Sequence, residues 1–328
     1  MIVRLKLRRI LDTSLFNSQV TLFLQKKIVR FTLLIYSFVL SLTFTARGQL
    51  INNTLGKSFE EQPYFNAKEI KLKKVKEIRT TNFQKKTGDI MRDLEKQSVY
   101  YFNEKGYLAT VFEIQNSGSG PDTSYFQYIY SPKGMLKTLR KNSYLGFTST
   151  NYSYDSIGQV IKEEYFRDKV VQRDLTDPLF KQDSILDFET VRYKSYPNQK
   201  KKIVYNSYGN PYIDYITYTN SKGQIIEIAK KLKMTSEINE VKYYYNPNNL
   251  VDSIVKFSSL NPKETESIHF KYDSKNNLMS KKSYVNKKLI AQTEFLYNAQ
   301  TGVLSSIIKQ EVATNLLSIT RFETIYYD

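Results

Sequence analysis

A short pattern recurs along most of this chain. It runs as an aromatic residue or its substitute, then Asn, Asp or Ser, two variable residues, Gly or Asn, and an apolar residue two further on. The plainest copies are Phe102-Asn103-Glu104-Lys105-Gly106-Tyr107-Leu108 and Tyr154-Asp155-Ser156-Ile157-Gly158-Gln159-Val160. The aromatic place falls at Phe102, Tyr130, Tyr154, Tyr205, Thr219, Tyr245, Tyr272 and Tyr297, in steps of 28, 24, 51, 14, 26, 27 and 25 residues. A fixed period constrains architecture before any single residue does, and a period of about 25 is the signature of stacked supersecondary units. A worn copy between Tyr193 and Lys202 fits the long gap; the 14-residue step stands outside the period.

Each position has a physical reason. Asn103, Ser131, Asp155, Asn206, Asn220, Asn246, Asp273 and Asn298 open the turn, where a short polar side chain can bond backbone further along. Gly106, Gly134, Gly158, Gly209, Gly223 and Gly302 sit where the returning strand demands a left-handed residue, with Asn249 and Asn276 in place of Gly in two copies. These sixteen residues are structural turn positions. In six copies a second aromatic, Tyr100, Tyr128, Tyr152, Tyr243, Phe270 or Phe295, lies two residues before the first and so shares its sheet face. An isolated hairpin is marginal, so the units must bury one another. The expected fold is all-β: tandem antiparallel β-hairpins over 75–328 forming an elongated, twisted or solenoid-like sheet, with a strand opening at about Val75–Phe83. Residues 49–74 read as a linker into that array.

The net charge of +17 is unevenly spread. Residues 1–48 hold eight Lys and Arg against Asp12 alone. Within them Lys26, Lys27 and Arg30 precede an apolar run from Phe31 to Phe44, and Ala46-Arg47-Gly48 supplies small residues at a cleavage site before Gln49. That is signal-peptide grammar over 26–48, and the run is short for a spanning helix. Residues 1–25 read as a leader extension from a mis-assigned start. The chain has no cysteine, so disulfides, thiolate metal sites and a lipoprotein anchor are excluded. An exported protein, periplasmic, outer-surface or extracellular, with no stable membrane span in its mature part is expected.

At Tyr154-Asp155 with Gly158, and at Tyr272-Asp273 with Asn276, the chain resembles the YD-repeat, or Rhs-like, class of exported bacterial proteins. The resemblance covers roughly Val75 to the C-terminus. It implies a β-hairpin repeat scaffold. Large members of the class form shells around toxic cargo, and this chain resembles the small, signal-bearing ones.

No catalytic, cofactor-binding or metal-binding residue is expected. The turn acids are too dispersed to converge on one cation. Glu163 and Glu164 are adjacent in a strand and point to opposite faces, and Asp183, Asp187 and Glu189 read as solvated loop charges. His269 reads as a strand residue on the face opposite the rings. The lysines at 71, 73, 74 and 76, at 200–202, and at 281, 282, 287 and 288 suit edges and turns that discourage aggregation, and no nucleic-acid partner is expected. The functional expectation is a non-catalytic binding or structural module of the cell envelope, partnered by surface polysaccharide or another envelope protein. The alternatives are an envelope hydrolase acting on polysaccharide and a small relative of toxin-shell or toxin-neutralising proteins.

Overall fold

A computed structural model describes residues 50–59, 64–117, 120–143, 146–172 and 179–328, all within one compact unit, 48–328. The leader expectations for 1–25 and 26–48 lie outside these residues. Among these residues a 3-10 turn (Thr54–Gly56) and one short α-helix, α1 (Ala67–Leu72), precede eighteen strands. They are β1 (Val75–Lys85), β2 (Arg92–Phe102), β3 (Leu108–Ser117), β4 (Gly120–Tyr130), β5 (Leu136–Ser143), β6 (Gly146–Tyr154), β7 (Val160–Gln172), β8 (Leu179–Tyr196) and β9 (Gln199–Tyr205). The second half comprises β10 (Pro211–Thr219), β11 (Ile225–Leu232), β12 (Ile238–Tyr245), β13 (Val251–Ser258), β14 (Thr265–Tyr272), β15 (Leu278–Val285), β16 (Lys288–Tyr297), β17 (Leu304–Glu311) and β18 (Leu316–Tyr326).

Every strand pairs antiparallel with its sequence neighbours, and β1 pairs with β18 as well as with β2. The sheet therefore closes into an 18-stranded barrel, which overturns the expectation of an open, elongated or solenoid-like sheet. The register of the closing pair runs from Val75↔Tyr326 to Lys85↔Leu317. Closure has a direct physical advantage. An open array would leave the N–H and C=O groups of β1 and β18 unpaired, and twisted sheets of many strands tend to curl until their edges meet.

Turns that follow even-numbered strands lie on one rim, and turns that follow odd-numbered strands lie on the other. The repeated turns at 103–107, 131–135, 155–159, 220–224, 246–250, 273–277 and 298–303 follow β2, β4, β6, β10, β12, β14 and β16, and share one rim. The turn at 206–210 follows β9 and belongs to the opposite rim, so the 14-residue step is a single strand, β10, crossing the wall. The β8–β9 turn holds the missing place on the repeat rim, shortened to Pro197-Asn198 with Asn198 at φ 56°.

Most repeat turns have one geometry. The Asn103 amide donates to the Tyr107 carbonyl (2.9 Å), and the Gly106 amide donates to the Asn103 carbonyl (2.7 Å). This is a type I turn followed by a left-handed residue that forms a bulge. The Asn103 Oδ1 accepts from the Lys105 and Tyr107 amides, and Asp155, Asn206, Asn220, Asn246 and Asp273 repeat both bonds. The turn acids and amides are thus engaged with backbone.

The stretch read as a linker lies inside the barrel mouth at the repeat rim. Phe65 packs edge-on to Tyr100 and Phe102 of β2, while Phe59 contacts Phe295 of β16 and Phe322 of β18. Gly56 approaches Ile254 and Phe270. Because residues 50–59 and 64–72 touch walls on both sides, they form a plug, and the face carrying Tyr100, Tyr128, Tyr243, Phe270 and Phe295 is the lumenal one. Five of the rings at i−2, Tyr152 excepted, and the plug residues Leu50, Ile51, Phe65 and Ile70 form one buried core. Its apolar burial, at roughly 25 cal/mol per Å², gives the repeat rim most of its cohesion. Further down the lumen the same face turns polar: Lys202, Lys230, Lys256 and Lys281 alternate with Glu163, Glu189 and Glu266.

The outer face carries Arg192, Lys201, Glu227, Lys242, His269, Lys282 and Glu294 in mid-strand positions. A lipid-facing wall needs a continuous apolar band, and these charges interrupt one. Also on this face, three register shifts bend the far half of the β7–β8 hairpin across β4–β6. Phe180 reaches Tyr125 (6.0 Å) and Phe147 (4.8 Å) and covers the Arg140 guanidinium (4.3 Å). Beneath it Arg140 Nε meets Asp168 Oδ2 at 2.5 Å, and Ser149 donates to the other carboxylate oxygen at 2.9 Å.

Candidate functional site

The strand ladders stop short of the repeat rim, and tyrosines complete them. Pairing of β13 with β14 ends at Ser253↔His269, leaving the Val251 carbonyl two residues beyond the last pair. The Tyr272 hydroxyl donates to that carbonyl at 2.7 Å. Tyr154 does the same to Leu136 (2.6 Å), Tyr245 to Ile225 (2.6 Å) and Tyr297 to Leu278 (2.9 Å). In the worn copy Tyr193 donates to Val160 (3.0 Å). Each accepting residue lies two past the left-handed residue of the preceding turn. A carbonyl left unpaired at a partly buried rim costs free energy, and the hydroxyl removes that cost. The sequence signal was available: the pre-turn ring is tyrosine, not phenylalanine, wherever this latch forms.

Tyr130 breaks the rule. It occupies the same pre-turn place, yet its hydroxyl has no hydrogen-bond partner among the described residues. Its ring instead stacks on Tyr107 of the preceding turn, with centroids 4.8 Å apart and planes 22° from parallel. Tyr107 in turn lies across Gly134, where a Cβ would come within 2.3 Å of the Tyr107 hydroxyl. Gly106 is equally constrained, because its Cβ would meet the Ala67 carbonyl of the plug at 2.1 Å. Both glycines have φ near +80°, so backbone conformation and close approach each require them.

Between the plug and strands β3–β6 with their rim turns lies a cleft of about 610 Å³. Tyr107, Tyr128, Tyr130 and Tyr152 line it, with Thr54 and Asn66 of the plug opposite. The volume lies within the range of small-molecule sites, about 300–1,000 Å³. The hydroxyls of Tyr128 and Tyr152, like that of Tyr130, have no hydrogen-bond partner among the described residues. Burial, followed by the neighbouring phenols Tyr107 and Tyr154, pushes Tyr130 up to about 12. Burial, followed by Glu163 and Tyr154, does the same to Tyr152. Both are neutral donors through the physiological range. Among the described residues the lining contains no Lys, Arg, Asp, Glu or His. On the other side of the plug a cavity of about 350 Å³ is lined by Tyr245 and Tyr272, but those hydroxyls are already committed to the wall.

The acidic residues weighed in the sequence are differently placed. Asp183, Asp187 and Glu189 lie in β8 rather than in a loop, which corrects that reading; the long strand was hidden by its polar, irregular sequence. Glu189 sits directly across from Glu163 on the lumenal face, while Glu164 points outward and pairs with Lys162 (2.8 Å). Tyr165 donates to Glu163 (3.4 Å) and Tyr212 to Glu189. Asp183 pairs with Lys169 (2.6 Å). His269 lies on the outer face, edge-on to Tyr284 at 5.3 Å. The 200–202 lysines divide between faces: Lys201 pairs with Asp214 (2.8 Å) outside, and Lys202 lies over Tyr215 (5.5 Å) within. Among the described residues no three His, Cys, Asp or Glu side chains converge to hold a metal ion.

No family model matches the chain, and no curated protein matches it. Among solved structures it is similar to a porin-like protein from Bacteroides uniformis, at 9% identity over 76% of this chain and 98% of that one, with a TM-score of 0.39. A porin-like protein from Bacteroides vulgatus gives 9%, 75%, 97% and 0.32, and a LolA superfamily protein from Nitrosomonas europaea gives 7%, 80%, 94% and 0.24. These are distant likenesses.

Proposed function

We propose that this chain is an exported, non-catalytic binding protein of the cell envelope, and that the cleft between plug and wall holds its ligand. The single observation carrying this reading is the cleft itself, lined by three neutral tyrosines whose hydroxyls have no hydrogen-bond partner among the described residues, in a volume suited to a small ligand. A site built for catalysis needs an acid, base or nucleophile at that place, and among the described residues the lining has no ionisable group other than tyrosine. The signal-like segment at 26–48 supports export, and the charged outer wall suits a barrel that stands in water. The ligand or partner is an envelope component, either surface polysaccharide or another envelope protein. The YD-repeat resemblance rests on the turn residues and supports a scaffold role for the wall. The test is binding of solubilised envelope fractions to the intact protein and to Tyr130→Ala and Tyr152→Ala variants with unchanged unfolding midpoints. Loss in the variants supports the cleft; equal binding removes it.

One observation favours an enzyme as the second reading. Glu163 and Glu189 face each other across β7 and β8, each bonded by a tyrosine, and paired carboxylates run glycoside hydrolysis. Release of reducing ends from envelope polysaccharide, abolished in Glu189→Gln, would establish it.

A further inference from the structure

The cleft's chemistry points to a class of ligand, an inference that rests on the binding role proposed above. Three properties of its lining act together. Tyr107 and Tyr130 form a flat double layer of rings, 4.8 Å apart and 22° from parallel. Such a surface packs against the C–H face of a flat, ring-shaped partner better than against a flexible chain. The hydroxyls of Tyr128, Tyr130 and Tyr152 supply donors and acceptors that the protein itself leaves unused, and polar groups held unpaired in a partly buried site gain most from a ligand that pairs them. Among the described residues no cation or carboxylate lines the space, and Glu163, paired across from Tyr152, adds negative charge beside it, so an acidic ligand finds no counter-charge.

An acyl chain would bury the three hydroxyls without satisfying them, which costs free energy for each. A phosphorylated or uronic-acid ligand would bring a charge with nothing to meet it. A ligand that offers apolar C–H faces, hydroxyl groups at its edges and no net charge satisfies all three properties. We infer that the cleft binds neutral carbohydrate, with a pyranose ring against the Tyr107–Tyr130 pair and its hydroxyls bonded to Tyr128, Tyr130 and Tyr152. The missing latch at Tyr130 then has a purpose. Of the pre-turn tyrosines near the plug, this one keeps its hydroxyl for the ligand while Tyr154, Tyr245, Tyr272 and Tyr297 spend theirs on the wall.

The test is calorimetry and tyrosine fluorescence on the intact protein with five classes of probe. They are neutral hexasaccharides of β-1,4-, α-1,4- and β-1,3-linked glucose, a hexauronate, palmitate, a neutral decapeptide and inorganic phosphate. At least one neutral hexasaccharide should bind, with affinity reduced about tenfold or more in Tyr130→Ala and in Tyr152→Ala, and less in Tyr130→Phe, which keeps the ring (tenfold is about 1.4 kcal/mol). Unfolding midpoints show that the variants are folded. Binding of palmitate, decapeptide, hexauronate or phosphate at the cleft, with no neutral saccharide bound, overturns the carbohydrate assignment and leaves the binding role standing. Binding of a saccharide that is unchanged in both alanine variants overturns the location. If no probe binds and envelope fractions bind the intact protein and the cleft variants equally, both readings fall.

Discussion

The Tyr272 hydroxyl donates to the Val251 carbonyl at 2.7 Å and accepts from Asn53 Nδ2 at 2.7 Å, so one side chain joins a ladder end of the wall to the plug. It is the point where the repeat and the non-repeating segment are bonded together. Removing that hydroxyl leaves a carbonyl and an amide without their partner. Tyr272→Phe is expected to lower stability by about 1–3 kcal/mol, whereas Tyr130→Phe, with no hydrogen bond to lose, should stay within about 0.5 kcal/mol. Urea unfolding of the two variants side by side checks this.

The glycines of the turns should differ in sensitivity. Gly106→Ala introduces left-handed strain and drives a Cβ to within 2.1 Å of the Ala67 carbonyl, while Gly209→Ala at φ 78° meets nothing within 4 Å. Gly209→Ala should cost about 1–2 kcal/mol from backbone strain, and Gly106→Ala more. Gly106→Ala should also speed proteolysis within residues 50–72, because the clash is with the plug. Cleavage mapping by mass spectrometry separates the two effects.

Asp168 has its carboxylate enclosed by Arg140, Ser149 and the Phe180 ring system. Asp168→Ala strands a buried guanidinium and is expected to destabilise by about 3–5 kcal/mol, whereas the double change Arg140→Met, Asp168→Leu should recover most of that loss. Thermal unfolding of the single and double variants measures the difference. Failure of the double variant to recover would assign the cost to the geometry of the β7–β8 hairpin.

The alkaline limit should be set by the rim tyrosines. Burial pushes Tyr272 up to about 12, partly offset by its bond with Asn53, and Tyr130 and Tyr152 likewise to about 12. In the unfolded chain a tyrosine ionises near pH 10, so above that point the unfolded state releases protons that the folded state keeps. Their contribution is fully present below about pH 10 and is lost as pH rises toward 12. Urea midpoints should be flat from pH 7 to 9 and fall above 10, less steeply in a Tyr130→Phe, Tyr152→Phe, Tyr272→Phe triple variant.

Much of the wall was legible because its chemistry is local. A turn of four or five residues needs Asn or Asp first and a left-handed residue near its end, so Asn103 and Gly106 report it without help from the rest of the chain. The placement of rings at i and i−2 on one face follows from strand pleating alone. The cleft was less legible. Tyr130 looks like Tyr154, Tyr245, Tyr272 and Tyr297 in sequence, and only the neighbouring Tyr107 ring sets it apart. Glu163 and Glu189 lie 26 positions apart, and their facing depends on the register of an 18-residue strand that no turn motif announces.

Hairpin count, turn type and ring placement thus come from short-range sterics and hydrogen bonding. Whether the first and last strands meet depends on the accumulated twist, tilt and stagger of eighteen strands, and no window of 25 residues contains that sum. The plug depends on it further, because Leu50, Ile51, Phe65 and Ile70 present an apolar surface whose complement, from Tyr100 round to Phe270 and Phe295, exists only once the wall has closed. Closure therefore decided the lumen, the lumen decided where the plug lies, and the side the plug leaves unfilled decided the cleft.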